Sequence, residues 1–324
     1  MDIKWIRGIS DWLRRGHRED HAQRSHANSL MAAPAQVSRI PQYFTLSWAD
    51  RREQLLARFS REWPGVDFTL ANADYIDSLT SPTSGNVHVI FNLGADALRN
   101  FIEHNDYKNV YERPVVHGVR RQPSPKRIRV DSLVGLTTPE KVYFCALSMG
   151  GTGMRFYGEY CVVLKHKPIL VLDRNSYDLD EEPIRGILSN LLPAEYPSIV
   201  RSLMSSYPSP DCADLLAIKV IDRLGHRARR YTRGAVAGAL LSDEDFVEAY
   251  HYGKIDTKAV LEVRAHPEDE AIENSIDRRF RNGESVMPEE LQWVAQRQQA
   301  RKVMEGKPIA YRVMSDHDRG PRWK

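Results

Sequence analysis

Four short stretches hold the side chains best suited to chemistry. His117-Gly118 closes the β-branched run VVHGV, with Arg120 and Arg121 directly after it. Tyr143 and Phe144 lie in KVYFCALS, and Tyr157, Gly158, Glu159 and Tyr160 follow. Far downstream, LEVRA carries Glu262 and Arg264. Alternate residues of a strand share a face, so Glu262 and Arg264 point one way and Leu261 and Val263 the other. A carboxylate fixed in place can stabilise a developing positive charge or orient a nucleophile. An aromatic face can hold a flat ring, and an imidazole can fix hydroxyls by hydrogen bonds. Without a site, the same residues are a hydrogen-bonded core histidine, core or edge tyrosines and a weakly paired Glu–Arg face.

Several catalytic signatures are missing from the sequence. There is no G-x-x-x-x-G-K-[ST] phosphate loop, no G-x-G-x-x-G opening a helix, no G-x-S-x-G elbow and no kinase set. Gly150-Gly151-Thr152-Gly153 stands between strand-like segments, without the helix N-terminus of a phosphate cradle, and reads as a flexible loop able to flank a ligand. His17 and His21 share a helical spacing, but Glu19 is misplaced in HREDH for the zincin order, so no metal is expected. Cys145, Cys161 and Cys212 fit neither a disulfide framework nor a metal knuckle, which favours a cytoplasmic setting. The densest positive run holds Arg223, Arg227, Arg229, Arg230 and Arg233 around Tyr231. Such a run can bind a nucleic-acid backbone or cap the helix that ends near Leu224. Lys126, Arg127 and Arg129 make a smaller patch.

Positioning these residues falls to a chain of 324 residues, 42% apolar, with 46 basic and 43 acidic side chains and a net charge of +3. That composition excludes a wholly disordered chain and a histone-like polycation, and the length suits one large domain or two small ones. No apolar run reaches the ~18–20 residues of a membrane helix. Residues 1–16 have helical spacing, with Ile3, Ile6, Ile9 and Leu13 on one face; such a helix packs on its own domain or docks on a protein partner. Residues 17–40 read as a linker.

The spacing predicts a helix over 47–63, a buried strand over 87–93, and a helix beyond it with Leu98, Phe101 and Ile102 inward. Strands at 115–119 and 141–148 flank a segment, 127–136, that is strand or helix up to Gly135. Residues 157–172 form two strands broken around 165–168. Helices follow at 184–192 and 198–204, then one through Leu215, Leu216, Val220, Ile221 and Leu224, then one at 243–252 capped by Ser242. A strand at 259–266, a helix at 289–303 and a polar tail at 316–324 close the chain. Helices and strands without regular βαβ alternation argue for an α+β fold. The expected organisation is an N-terminal helix and linker over 1–40, then a single domain over 41–315 with a mixed β-sheet core and a helical insertion around 180–252.

The order His117-Gly118, Val142-Tyr143-Phe144, Tyr157-Gly158-Glu159, the strand with Glu262, and then VMPEEL resembles the ADP-ribosyltransferase fold. The run from His117 through IRVDSLVGL to Phe144 looks like its DarT-type branch of toxins and defence effectors. The similarity covers residues 110–165 and 258–294; the long helical middle departs from compact members of the family. It implies an ADP-ribosyltransferase-like sheet and an enzyme that takes NAD as substrate and moves ADP-ribose to a macromolecular acceptor, protein or nucleic acid. It implies that His117 and Gly118 hold the nicotinamide ribose and amide, that a tyrosine stacks on nicotinamide, and that a late-strand glutamate completes the site. Tyr143, Tyr157 and Tyr160 compete for the stacking position, and Glu159 and Glu262 for the carboxylate; strand alternation favours Glu262.

Breaking the nicotinamide–ribose bond builds an oxocarbenium-like sugar cation, which such a carboxylate stabilises. Arg264 would pair with it or with a phosphate, and Arg120 and Arg121 would meet the pyrophosphate. On this reading the run with Arg227, Arg229, Arg230 and Arg233 points to a nucleic-acid acceptor. Apart from it, the chain is a nucleic-acid binder or nuclease, or a non-enzymatic interaction protein.

Overall fold

The computed structural model describes residues 41–62, 69–105, 107–109, 111, 123–136, 138–165, 167–173, 179, 184–191, 193–225, 230–242 and 245–314. The expected N-terminal helix and linker, the strand at 115–119 with His117, Gly118, Arg120 and Arg121, the residues Arg227 and Arg229, and the tail lie outside them.

Among the described residues the chain forms eight strands and ten α-helices. The strands are β1 (His88–Leu93), β2 (Val142–Ser148), β3 (Tyr160–Leu164), β4 (Ile169–Leu172), β5 (Met204–Tyr207), β6 (Glu248–Tyr252), β7 (Val260–Ala265) and β8 (Ala310–Val313). The helices are α1 (Trp48–Glu62), α2 (Thr69–Thr80), α3 (Ala95–His104), α4 (Pro125–Val134), α5 (Ile184–Ser189), α6 (Tyr196–Ser202), α7 (Pro210–Leu224), α8 (Arg233–Leu240), α9 (Pro267–Arg281) and α10 (Pro288–Met304). This is an α+β protein.

The chain divides into two compact units. The smaller, which among the described residues takes in 41–46, 124–136, 179, 184–191 and 193–203, contains α4, α5 and α6. Ser124 caps α4 by accepting from the Arg127 amide at 3.1 Å, and Gly135 closes it in the left-handed conformation. Arg127 turns inward and pairs with Asp131 in the next turn, and both are buried. The expected surface patch around Lys126 and Arg129 therefore loses its middle cation.

The larger unit holds the whole sheet, in the order β5-β4-β6-β2-β1-β3-β7-β8. Neighbouring strands run antiparallel except β7 and β8, which are parallel. One face carries the main core. Val89, Phe91, Leu93, Leu147, Val162 and Val263 pack there with the apolar stripes of α1, α3, α7 and α8. The opposite face carries a smaller cluster of Ile90, Ala146, Met154, Cys161, Val163 and Phe246. Local chemistry sets the helix ends. Ser47 and Asp50 exchange hydrogen bonds at the start of α1, and Ser209 accepts from the Cys212 amide at the start of α7.

The helix expected at 243–252 is instead the strand β6, paired on both edges, to β2 and to β4. Its residues Glu248, Ala249, Tyr250 and His251 are buried whichever way they point, as in a central strand. Ser242 does cap, but it caps a turn, accepting from the Asp245 amide at 3.1 Å. The helical insertion around 180–252 thus also supplies β5 and β6 to the sheet.

Candidate functional site

The strand pairing lines residues up in rows across the second face of the sheet. One row runs Ala146, Ile90, Val163, Glu262 and Ala310; the next runs Asn92, Cys161, Arg264 and Arg312. Glu262 and Arg264 share this face, as alternation along β7 requires. Arg264 Nε donates to Glu262 Oε1 at 2.6 Å, and a nitrogen of Arg312 lies 3.4 Å from Oε2. The pair is enclosed: Glu262 is 7% exposed and Arg264 5%. Arg312, on the edge strand, keeps 58% of its side chain in solvent. Burial pushes the Cys161 thiol up to about 12, eased by Arg264 and reinforced by Glu262, so while it is enclosed it stays protonated at neutral pH and reacts slowly.

The glycine loop, residues 149–158, crosses this face, and Asn92 holds it. The Asn92 amide donates to the carbonyls of Thr152 and Gly158, each at 2.9 Å, and its oxygen accepts from the Met154 amide at 2.9 Å. Arg264 reaches the Gly151 carbonyl at 3.5 Å. Two glycines are demanded by space. A Cβ on Gly153, at φ +68°, would lie 2.1 Å from Asn92 Oδ1, and one on Gly158 would lie 2.1 Å from the Leu93 backbone. The loop's tip exposes Phe156 (81%) and Tyr157 (52%), their rings edge to face at 5.2 Å. Arg155 between tip and sheet binds Asp269 and approaches Glu268 at 3.7 Å.

The expected residues separate on this frame. Glu262, Arg264 and the loop bearing Tyr157 belong to one face. Tyr143 does not: it is buried in the main core on the other face, tilted against Tyr107 at 5.5 Å and edge-on to His251 at 6.4 Å. Its strand is three steps from β7, roughly 14 Å at ~4.8 Å per step. The stacking role expected for Tyr143 is corrected: sequence alternation does not reveal which face the helices cover. Tyr160 is likewise taken, buried with the Arg297 guanidinium 4.9 Å above its ring. Glu159 sits by the first turn of α3. Burial pushes its carboxyl above the usual range, while Arg297 and the amides of Glu159 and Ala95 pull it back.

Behind Glu159, α9 and α10 face each other through a buried charge network. Arg297 is fully buried, with Nε donating to Glu273 at 2.7 Å and a further bond to Glu270. Arg301 grips the same two glutamates, and Tyr311 donates to Glu270 at 2.8 Å. The basic run is also partly spent. Arg223 binds Asp245 at 2.8 Å, and Tyr231 is a core residue donating to the Gly225 carbonyl at 2.7 Å. Its ring is not available to stack on a base, which corrects the aromatic part of the expected patch. Arg230 and Arg233 remain exposed.

Two residues of this site carry no local sequence signal: Asn92, a lone amide in an apolar strand, and Arg312, in a short edge strand. No protein-family model, curated protein or solved structure matches the chain. Among the described residues, no helix is long and apolar enough to cross a membrane.

Proposed function

We propose that the protein is an enzyme that transfers ADP-ribose from NAD to a macromolecular acceptor, protein or nucleic acid, in the manner of toxins and defence effectors, with an ADP-ribosyltransferase-like sheet. One observation carries the reading: on a late strand, Glu262 and Arg264 share a face beneath a loop whose tip exposes Phe156 and Tyr157. Glu262 is the carboxylate that meets the oxocarbenium-like sugar, because Glu159 is engaged at the start of α3. Arg264 is committed to Glu262 and fixes its orientation. Among the described residues beside Glu262, the half-exposed Arg312 is a cation placed to meet a pyrophosphate. Tyr157 takes the nicotinamide face in place of Tyr143. His117 and Gly118 keep the roles that the resemblance gives them, Arg120 and Arg121 keep the pyrophosphate contact their guanidinium groups suit, and Arg230 and Arg233 are the described part of a surface for a nucleic-acid acceptor.

The test is transfer of radiolabel from adenylate-labelled NAD to a panel of protein, DNA and RNA acceptors. Wild-type protein labels at least one of them and Glu262→Gln labels none. Equal labelling by the two proteins, or none by either, overturns the reading.

A further inference from the structure

We propose that residues 149–158 form a lid over the Glu262–Arg264 pair, with Asn92 as its latch. The enclosure of that pair motivates it. Glu262 has both carboxylate oxygens facing guanidinium groups and almost no contact with solvent. No substrate atom reaches it while the Gly151 carbonyl stays beside Arg264 and the Met154 side chain sits on Cys161, Val163 and Ile90.

The construction of the segment is that of a piece that moves as a unit. Glycines stand at both ends, Gly150-Gly151 and Gly158, where backbone rotation meets least resistance. Between them, three hydrogen bonds converge on a single side chain, Asn92, rooted in β1. A second hold is the Arg155 guanidinium on Asp269 and Glu268 of α9. The outer surface is formed by Phe156, which is mostly exposed, and Tyr157, which is half exposed. Aromatic rings exposed at a loop tip can stack on a flat ring that enters beneath or beside them. Asn92 is a positioning residue: it touches the lid and sets where those rings stand. That a nicotinamide ring is what enters rests on the proposed NAD reading; the lid itself does not.

Cys161 reports the opening, because it lies under the lid in the same row as Arg264, whereas Cys145 and Cys212 lie in the main core on the other side of the sheet. The full-length protein is treated with N-ethylmaleimide and the labelling rate of each cysteine is read by peptide mass spectrometry. Asn92→Ala, which removes three hydrogen bonds, is expected to speed Cys161 labelling by about tenfold or more, with Cys145 and Cys212 unchanged. If Asn92→Ala fails to fold, Arg155→Ala makes the same comparison from the other hold. Cys161 labelled no faster, or all three cysteines speeding together, overturns the lid. Adding NAD separates the two claims. Protection of Cys161 supports both, and a lid that opens in the variants with no response to NAD keeps the lid and removes the NAD reading.

Discussion

Arg264 and Glu262 lie two residues apart on β7 and meet at 2.6 Å, Nε to Oε1, almost out of reach of water. A buried pair of this kind adds little net stability while intact, because desolvation offsets the attraction, but breaking it leaves one charge stranded. Glu262→Ala is therefore expected to cost about 3–5 kcal/mol of folding stability. Glu262→Gln, which keeps an acceptor for Arg264, is expected to cost clearly less. Urea unfolding of the two variants checks the order, and a cost for Glu262→Ala below about 1 kcal/mol contradicts the buried pairing.

Tyr143 and Tyr157 are predicted to part company under mutation. Tyr143 is in the core, so Tyr143→Ala opens a cavity worth about 3–5 kcal/mol. Tyr157 stands half in solvent, so Tyr157→Ala leaves the thermal midpoint within a degree or two while raising the KM for NAD. A folding defect in the second variant, or none in the first, reverses the assignment.

His251 gives the fold a pH dependence with a definite sign. Burial, helped by Lys167, holds its imidazole down to about 4. The neutral ring meets the Gly253 carbonyl at 3.0 Å through Nδ1, and among the described residues its Nε2 has no hydrogen-bond partner. In the unfolded chain a histidine titrates near ~6.5. Between those values the unfolded state binds more protons than the folded one, so stability is complete above ~6.5 and falls as the pH drops toward ~4. The loss approaches about 3 kcal/mol at ~1.4 kcal/mol per pKa unit. Urea midpoints at pH 7 and pH 5 are expected to differ more for wild type than for His251→Phe. An equal difference shows that the folded-state imidazole titrates as it does in the unfolded chain.

The α9–α10 network predicts that arginine, and not merely a cation, is needed at position 297. Arg297 makes separate bonds to Glu273 and Glu270 beneath two aromatic rings, Tyr160 and Trp293. Lysine lacks the planar fork and strands one of those contacts. Both Arg297→Ala and Arg297→Lys are expected to lose about 3–5 kcal/mol, read by thermal or urea unfolding. A lysine variant as stable as wild type would show that charge alone suffices.

Much of this fold was legible in the sequence where one element's own residues decided its burial. β1 is a run of β-branched and aromatic residues, and α3 and α7 carry apolar residues at helical spacing that the structure buries one by one. Strand alternation alone puts Glu262 and Arg264 on one face, while leaving open whether Arg264 pairs with Glu262 or with a phosphate. β6 was not legible, because Phe246, Val247 and Tyr250 also fit a helical stripe, and only pairing with β2 and β4 decides between the two. The short strands β5 and β8 and the helices α2, α8 and α9 are not legible in the sequence for a similar reason: tertiary packing, more than local pattern, fixes them. Asn92 and Arg312 matter through partners far along the chain, and no spacing within the sequence announces such partners.

The central claim is that Glu262 acts on the nicotinamide–ribose bond of NAD. Chromatographic measurement of nicotinamide released from NAD, by wild-type protein and by Glu262→Gln confirmed as folded by circular dichroism, tests it most directly because no acceptor need be known. Release by wild type that falls by about a hundredfold or more in the variant, the usual scale for losing a group that stabilises transition-state charge, is the predicted result. Release at the same rate by both proteins, or no release by wild type with Cys161 already shown to become accessible, would contradict it.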